Sequence, residues 1–351
     1  MKDRAVIAVA WLVLGACRRD ESPPSSKATP ETTVPAAPSA PSTTPSLPTA
    51  RTVVPVEGTP IASTRRTATA LAVDGAAFAW TEPDDPDAHE VADGGAPRAR
   101  RATSSKVTNV VGLGYTKGAL HAVEASTTDP KDTRLVRPAT APGTPAKVVA
   151  RGEGWLPPLV PTPEGFVIRG AKGLERVDVT TGRGTTLVAL TGRTVLALAC
   201  DDVDVFWLER PDVLRDGRGS VFRVPLAGGT PTELARTNTA RIARPMRVDA
   251  TDVYWLEQPD MNSAHVTITK VAKSGGPVSV IAAAPRAVSL ALSDTAIYWG
   301  TLWQGSDVHA IPKTGGSSRV VASSSRVVDL AWSDGELTWI SDDGVRRVSA
   351  P

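Results

Sequence analysis

Apolar and polar positions alternate along this chain inside a ten-residue unit that recurs down to the C-terminus. Complete copies run from Leu71 to Trp80 (Leu-Ala-Val-Asp-Gly-Ala-Ala-Phe-Ala-Trp), Leu198 to Trp207, Met246 to Trp255, Leu290 to Trp299 and Leu330 to Trp339. Degenerate copies, Leu113 to Ala122 and Leu159 to Ile168, fill the gap between the first and second. The first position is always Leu or Met, and the eighth is always apolar: Phe78, Leu120, Phe166, Val205, Val253, Ile297 and Leu337. The tenth is Trp in the strong copies, two residues past the eighth and therefore on the same strand face. The fourth is Asp74, Thr116, Thr162, Asp201, Asp249, Ser293 or Ser333. Short hydrogen-bonding side chains of this kind cap the backbone two residues on and start turns. The unit predicts strand, turn, strand, with its tryptophan face buried between sheets.

A second element follows the strong copies, as in Val221-Phe-Arg-Val-Pro-Leu-Ala-Gly-Gly229, Ile268-Thr-Lys-Val-Ala-Lys-Ser-Gly-Gly276 and Val308-His-Ala-Ile-Pro-Lys-Thr-Gly-Gly316. Each reads as a strand ending in a glycine hairpin, followed by a further apolar run such as Arg319-Val-Val-Ala322. Four strands per period make a propeller blade, and the spacing of about 43 residues falls inside the blade range. Helical periodicity is nearly absent, and 30 Pro and 29 Gly punctuate the chain. The pattern predicts an all-β propeller of about seven four-stranded blades. Six blades, with Leu113 to Ile168 irregular, is the alternative. The last copy lacks a fourth strand, and the β-prone run Arg51 to Val56 is the expected replacement from the other terminus.

The strong copies end Val-Phe-Trp207, Val-Tyr-Trp255 and Ile-Tyr-Trp299. With the Pro-Lys-x-Gly-Gly hairpins they resemble the Tyr-Trp-Thr-Asp and TolB-like repeat propellers, and the predicted bacterial propeller lipoproteins. The resemblance covers about Leu71 to Pro351. Leu256-Glu257 follow Trp255 and Gly300-Thr301 follow Trp299, so the resemblance implies the architecture and no particular ligand.

The N-terminus reads as an address. Lys2 and Arg4 precede an apolar run from Ala5 to Ala16, too short to span a bilayer and suited to a signal-peptide core. Leu14-Gly-Ala-Cys17 matches the bacterial lipobox, in which the cysteine is lipidated, commonly with palmitate, and becomes the mature N-terminus. From Arg18 to about Pro48 the chain is dominated by Pro, Ser, Thr and Ala, a composition that stays extended rather than folding. The expected organisation is a signal peptide over 1–16, a lipidated cysteine and disordered tether over 17–50, and the propeller over 51–351. Arg18 in place of Asp after the cysteine points to the outer rather than the inner membrane.

Formal net charge is +2 over 351 residues, which provides no field for nucleic acid. Arg98-Ala-Arg-Arg101 reads as a solvated surface strand and Asp84-Asp-Pro-Asp-Ala-His-Glu90 as a solvated acidic loop. Cys200 occupies the third unit position, mostly apolar in the other copies, which predicts a buried, inert thiol. His89, His121, His265 and His309 share no metal-ligand spacing, and no nucleophile elbow, zinc-protease or phosphate-loop motif occurs.

One acidic pattern repeats after the tryptophans: Trp80-Thr-Glu82-Pro-Asp84, Trp207-Leu-Glu209-Arg-Pro-Asp212 and Trp255-Leu-Glu257-Gln-Pro-Asp260. It is expected to begin the loop between second and third strands. Glu209, Asp212, Glu257 and Asp260 lie in neighbouring units and form the candidate rim for Ca2+ or a cationic ligand, since hard cations take several oxygens. The competing reading is a solvated turn, which Pro and Asp favour. No other cofactor is expected. The functional expectation is a non-catalytic, monomeric envelope lipoprotein, held at the membrane by its lipid, whose propeller binds or scaffolds a protein or glycan partner. The alternative is a glycan- or peptide-acting hydrolase or lyase with its site at the channel mouth.

Overall fold

The computed structural model describes residues 58–64, 70–83, 85–92, 95–105, 108–141, 144–211, 218–237, 242–258, 264–302, 306–342 and 344–349. They form seven antiparallel four-stranded sheets, and in six of them the strands follow chain order. Blades 1 to 6 cover residues 70–101, 108–153, 156–189, 193–236, 242–283 and 287–323. Blade 7 takes three strands from 329–349 and its fourth from the opposite end of the chain. The innermost strand of each blade lies beside that of the next, and the last returns to the first, so the ring is closed. The degenerate copies build full blades 2 and 3, which settles the blade number at seven rather than six.

The ten-residue unit is the inner hairpin of each blade. Its first and tenth positions face each other across the two strands, as in Leu71 with Trp80, Met246 with Trp255 and Leu330 with Trp339. The third and eighth pair likewise, as in Val73 with Phe78 and Val248 with Val253. Positions one, three, eight and ten therefore share one sheet face. That face packs against the preceding blade: Met246, Val253 and Trp255 meet Ala199, Phe206 and Leu208 of blade 4. Leu290, Ile297 and Trp299 meet Tyr254 and Leu256 of blade 5 in the same way. Each seam is its own apolar cluster, which is how a chain of small repeats buries enough surface without a central core. Trp80, Trp207, Trp255, Trp299 and Trp339 are all buried.

Blades 2 and 3 lack the tenth-position tryptophan, and neighbouring residues fill the space. Trp155, in the connection entering blade 3, is buried against Phe166 and Ile168. It is held by a 2.9 Å bond from its backbone N–H to Thr133 Oγ1. Tyr115 joins Leu120 and Ala122 in the seam between blades 1 and 2. The fourth position caps its turn as expected. Asp201 Oδ1 accepts from the N–H groups of Val203 and Asp204, Asp249 Oδ1 from Thr251 and Asp252, and Ser293 Oγ from Ala296.

The closing strand is Thr59–Ala62, paired antiparallel with Gly344–Ser349 through Thr59 with Arg347, Pro60 with Arg346 and Ala62 with Val345. This corrects the expected segment: the fourth strand of blade 7 does come from the N-terminal side, but it starts beyond Arg51 to Val56. That run lies outside the described residues, as do the signal peptide, Cys17 and the tether. Asp87–Val91, read from sequence within an acidic loop, is the third strand of blade 1. Its Glu90 is buried, accepting from Tyr115 Oη at 2.9 Å and pairing with Arg100 at 2.6 Å.

Candidate functional site

Glu209 and Glu257 of the predicted acidic rim lie at the other end of the second strand from the turns at positions four to seven, hence on the opposite face of the ring. Glu209 and Glu257 sit within the second strands Asp204–Pro211 and Asp252–Gln258, not in the loops that follow. Both are buried, as is Glu82 just past its strand. Glu209 Oε2 accepts from Trp207 Nε1 at 2.7 Å, and its Oε1 is 3.0 Å from Arg193 Nη1. Both oxygens are thus engaged within blade 4. Asp84, Asp212 and Asp260 lie outside the described residues. Among the described residues no group of three or more His, Cys, Asp or Glu has metal-binding geometry.

A fourth glutamate occupies the same repeat position. Glu124 of blade 2 is fully buried. It accepts from the Ser104 N–H at 2.6 Å, the Ser104 hydroxyl, and Thr108 Oγ1 at 2.8 Å, with Arg134 at 3.6 Å. It holds the connection between blades 1 and 2. Its distance from Leu113 equals that of Glu209 from Leu198, a signal present in the sequence but hidden by the missing Pro-Asp.

The other face carries a constellation the sequence reading passed over. Between blades 5 and 6 a cavity of about 430 Å³ is lined by Asp249, Thr251, Asp252, Tyr254, Lys270, Asp294, Lys313 and Thr314. Lys313, from the hairpin of blade 6, reaches back to Asp249 Oδ2 at 2.7 Å, and Tyr254 Oη donates to the same oxygen at 2.9 Å. Burial would raise the Asp249 carboxyl. The Lys313 bond, the two turn N–H groups and the Tyr254 hydroxyl outweigh it and hold the group well below the usual carboxylate range. Lys270 pairs with Asp252 at 3.3 Å. Both ammonium groups also lie over the Tyr254 ring, at 5.9 Å for Lys270 and 5.8 Å for Lys313, within cation–π range. Burial, then the bond to Asp249, raises the Tyr254 hydroxyl far above its ordinary value, so it stays a donor.

The seam between blades 4 and 5 repeats the arrangement. Lys273 bonds Asp201 at 2.6 Å and lies 5.6 Å from the Phe206 ring centre, while Arg223 is 3.7 Å from Asp204. Where blade 3 has Thr162 in place of the aspartate, blade 4 has Leu226 in place of the lysine. The histidines in the strands are structural. His89 and His309 stack on Trp80 and Trp299 at 5.3 and 5.1 Å, and His121 meets Phe166 edge-on. Cys200 is half-buried and its thiol donates to the Pro161 carbonyl. Arg247 and Asp329, on the innermost strands of blades 5 and 7, act on each other electrostatically across the ring. Burial pushes the arginine pKa down and the carboxyl pKa up, each opposed by the other's charge.

No protein-family model and no curated protein matches the chain. Solved structures do. The β-propeller domain of Myceliophteria thermophila Cps50 (Swd1) superposes with a TM-score of 0.56 at 11% identity, covering 83% of this chain and 99% of that one. An oligogalacturonate lyase in complex with manganese gives 0.55 at 13%, covering 78% and 85%. TolB from Acinetobacter baumannii gives 0.48 at 14%, covering 78% and 66%. At these identities the likeness to the first two shows a propeller and nothing about activity.

Proposed function

We propose that the chain is a non-catalytic lipoprotein of the cell envelope, anchored through lipid on Cys17, that presents its propeller as a binding or scaffolding surface. The observation that supports binding over catalysis is the state of the charged groups at the seam cavity. Asp249 and Asp252 are each committed to a lysine and to turn or hydroxyl hydrogen bonds. A general acid or base needs a pKa moved toward neutrality, and Asp249 is moved away from it. The anchor rests on Leu14-Gly-Ala-Cys17 behind a basic, apolar leader, and the Pro-, Ser- and Thr-rich stretch after it gives the propeller reach from the bilayer. Arg18 places the outer membrane ahead of the inner in this reading.

The test compares the full chain with Cys17→Ser in the native envelope. The wild type should fractionate with membrane and show a lipid-bearing N-terminal peptide by mass, while the variant is unprocessed or released. Unchanged retention of the variant, with no lipid mass on the wild type, would overturn the anchor. Cross-linking of intact cells should then recover a specific envelope partner on the full chain.

A further inference from the structure

We propose that the cavity between blades 5 and 6 is a binding site for a neutral saccharide, recognised through the hydroxyl groups of one or two pyranose rings. The inference rests on the binding-surface reading above and names the ligand class. Four observations carry it.

The cavity volume of about 430 Å³ lies within the span of small-ligand pockets. Its lysines are already neutralised by its own aspartates, at 2.7 Å for Lys313 with Asp249 and 3.3 Å for Lys270 with Asp252. A phosphate or carboxylate ligand would meet lysines whose charge is already balanced, with the Asp294 carboxylate in the same lining, and it gains little.

Hydrogen-bonding capacity nevertheless remains. An ammonium carries three donors and a carboxylate about four acceptor sites. Lys270 and Lys313 each use one donor on a carboxylate here. Asp252 shares its Oδ2 between Lys270 and the Thr251 hydroxyl, and its carboxylate lines the cavity. Asp294 is an exposed carboxylate at the cavity edge. Donors and acceptors lining one recess suit vicinal hydroxyls, each of which both donates and accepts.

The donors are also held in place. Each lysine is fixed by its bridge and by the face of Tyr254, itself buried and bonded to Asp249. Donors ordered before the ligand arrives spare the ordering cost that weakens most polar binding. The quasi-equivalent seam of blades 4 and 5 has Phe206 where this one has Tyr254, so of the two seams the one between blades 5 and 6 has the hydroxyl that holds its aspartate.

Ligand-observed saturation-transfer NMR on the full chain tests this. Maltose, cellobiose and N-acetylglucosamine are the neutral probes, with glucuronate and glucosamine as charged counterparts. At least one neutral sugar should show transfer at millimolar concentration. Asp294→Ala and Thr314→Ala, at the cavity edge and outside the bridges, should each weaken it about tenfold or more. Asp202→Ala, in the blade 4 turn, should leave it unchanged. No transfer from any neutral sugar, stronger transfer from a charged counterpart, or wild-type binding by both edge variants would overturn the assignment. Loss of sugar binding with an envelope partner still captured by cross-linking defeats this inference and leaves the binding-surface reading standing. Sugar that binds and is then cleaved keeps the cavity and defeats the non-catalytic reading.

Discussion

Lys313 and Asp249 come from neighbouring blades and meet at 2.7 Å, and Lys273 and Asp201 repeat the contact one seam earlier at 2.6 Å. In each pair the aspartate also caps its own turn, so one carboxylate fixes a hairpin and bolts that hairpin to the next blade. Both partners of the first pair are largely shielded, at 15% and 18% exposed. Lys313→Met should cost about 1.5–3 kcal/mol, the range for hydrogen bonds to charged groups. Asp249→Asn should cost a similar amount, and the double variant less than the sum. Chemical denaturation of the four proteins checks this, and additive losses would show that the two side chains act independently.

The same bridge sets an acid limb of stability. The Asp249 pKa is lowered in the fold, so its contribution is fully present above the unfolded value of about 3.9 and lost as pH falls through the folded value. Melting temperatures of wild type and Asp249→Asn should differ most at neutral pH and converge below about pH 4. A gap that stays constant into acid would mean the carboxylate charge plays no part.

Trp255 shows how the apolar pattern becomes a seam. It is fully buried among blade 4 residues Phe206 and Leu208, opposite Met246 of its own blade. Trp255→Ala should destabilise by about 3–5 kcal/mol, the usual cost of emptying a large aromatic site. Asp202→Ala, in an exposed turn of blade 4, should stay within about 0.5 kcal/mol. A Trp255→Ala variant that melts with the wild type would contradict the packing.

The inner hairpins were legible because strand alternation and burial act on the same few positions, so Trp80, Trp207, Trp255, Trp299 and Trp339 announce their own seams. Blades 2 and 3 were faint for a physical reason. Their seams are filled by Trp155, from outside the unit, and by Tyr115, an aromatic at the unit's third position, which frees Ile168 and Ala122 from the tryptophan requirement. The bridging lysines escaped notice because their partners lie 64 and 72 residues away, in the preceding blade's turn. Glu209 and Glu257 belong to strands rather than to the expected loop, for the opposite reason. Glu209 looks like a loop carboxylate beside Pro211, yet Trp207 Nε1 and Arg193 draw it into the strand.

Cys200 should be close to unreactive in the folded chain. Burial, with Asp201 and Asp202 adding to it, pushes its thiol up to about 12. At about pH 8 the thiolate fraction falls on the order of a thousandfold below that of a free cysteine, and alkylation slows with it. In a Cys17→Ser background, iodoacetamide labelling should be slow in buffer and fast in denaturant. Equal rates in both conditions would place the thiol in solvent.

Ring closure depends on two glycines that touch the seam of blade 7. A Cβ built on Gly58 would fall 2.1 Å from Trp339 Cη2, so the chain entering Thr59–Ala62 lies directly on the buried ring. A Cβ on Gly344 would fall 2.1 Å from the Ala62 carbonyl oxygen, and its φ of 135° is one that side chains rarely adopt. The two sites differ in what must yield. At Gly58 the neighbour is an indole that is itself packed on all sides, so Gly58→Ala should cost about 1–3 kcal/mol through overpacking. At Gly344 the neighbour is backbone in the closing pair, so Gly344→Ala should cost more and should loosen Thr59–Ala62 first. Hydrogen exchange reads the difference: amides of 59–62 and 344–349 should exchange faster in Gly344→Ala, while blades 4 and 5 keep their protection. Trp339→Phe should recover part of the Gly58→Ala loss, because a smaller ring vacates the contested space, and it should not rescue Gly344→Ala. If Gly58→Ala loses nothing, or if Trp339→Phe adds its full cost on top, the closing strand is held by its ladder alone and the Gly58–Trp339 contact plays no part in sealing the ring.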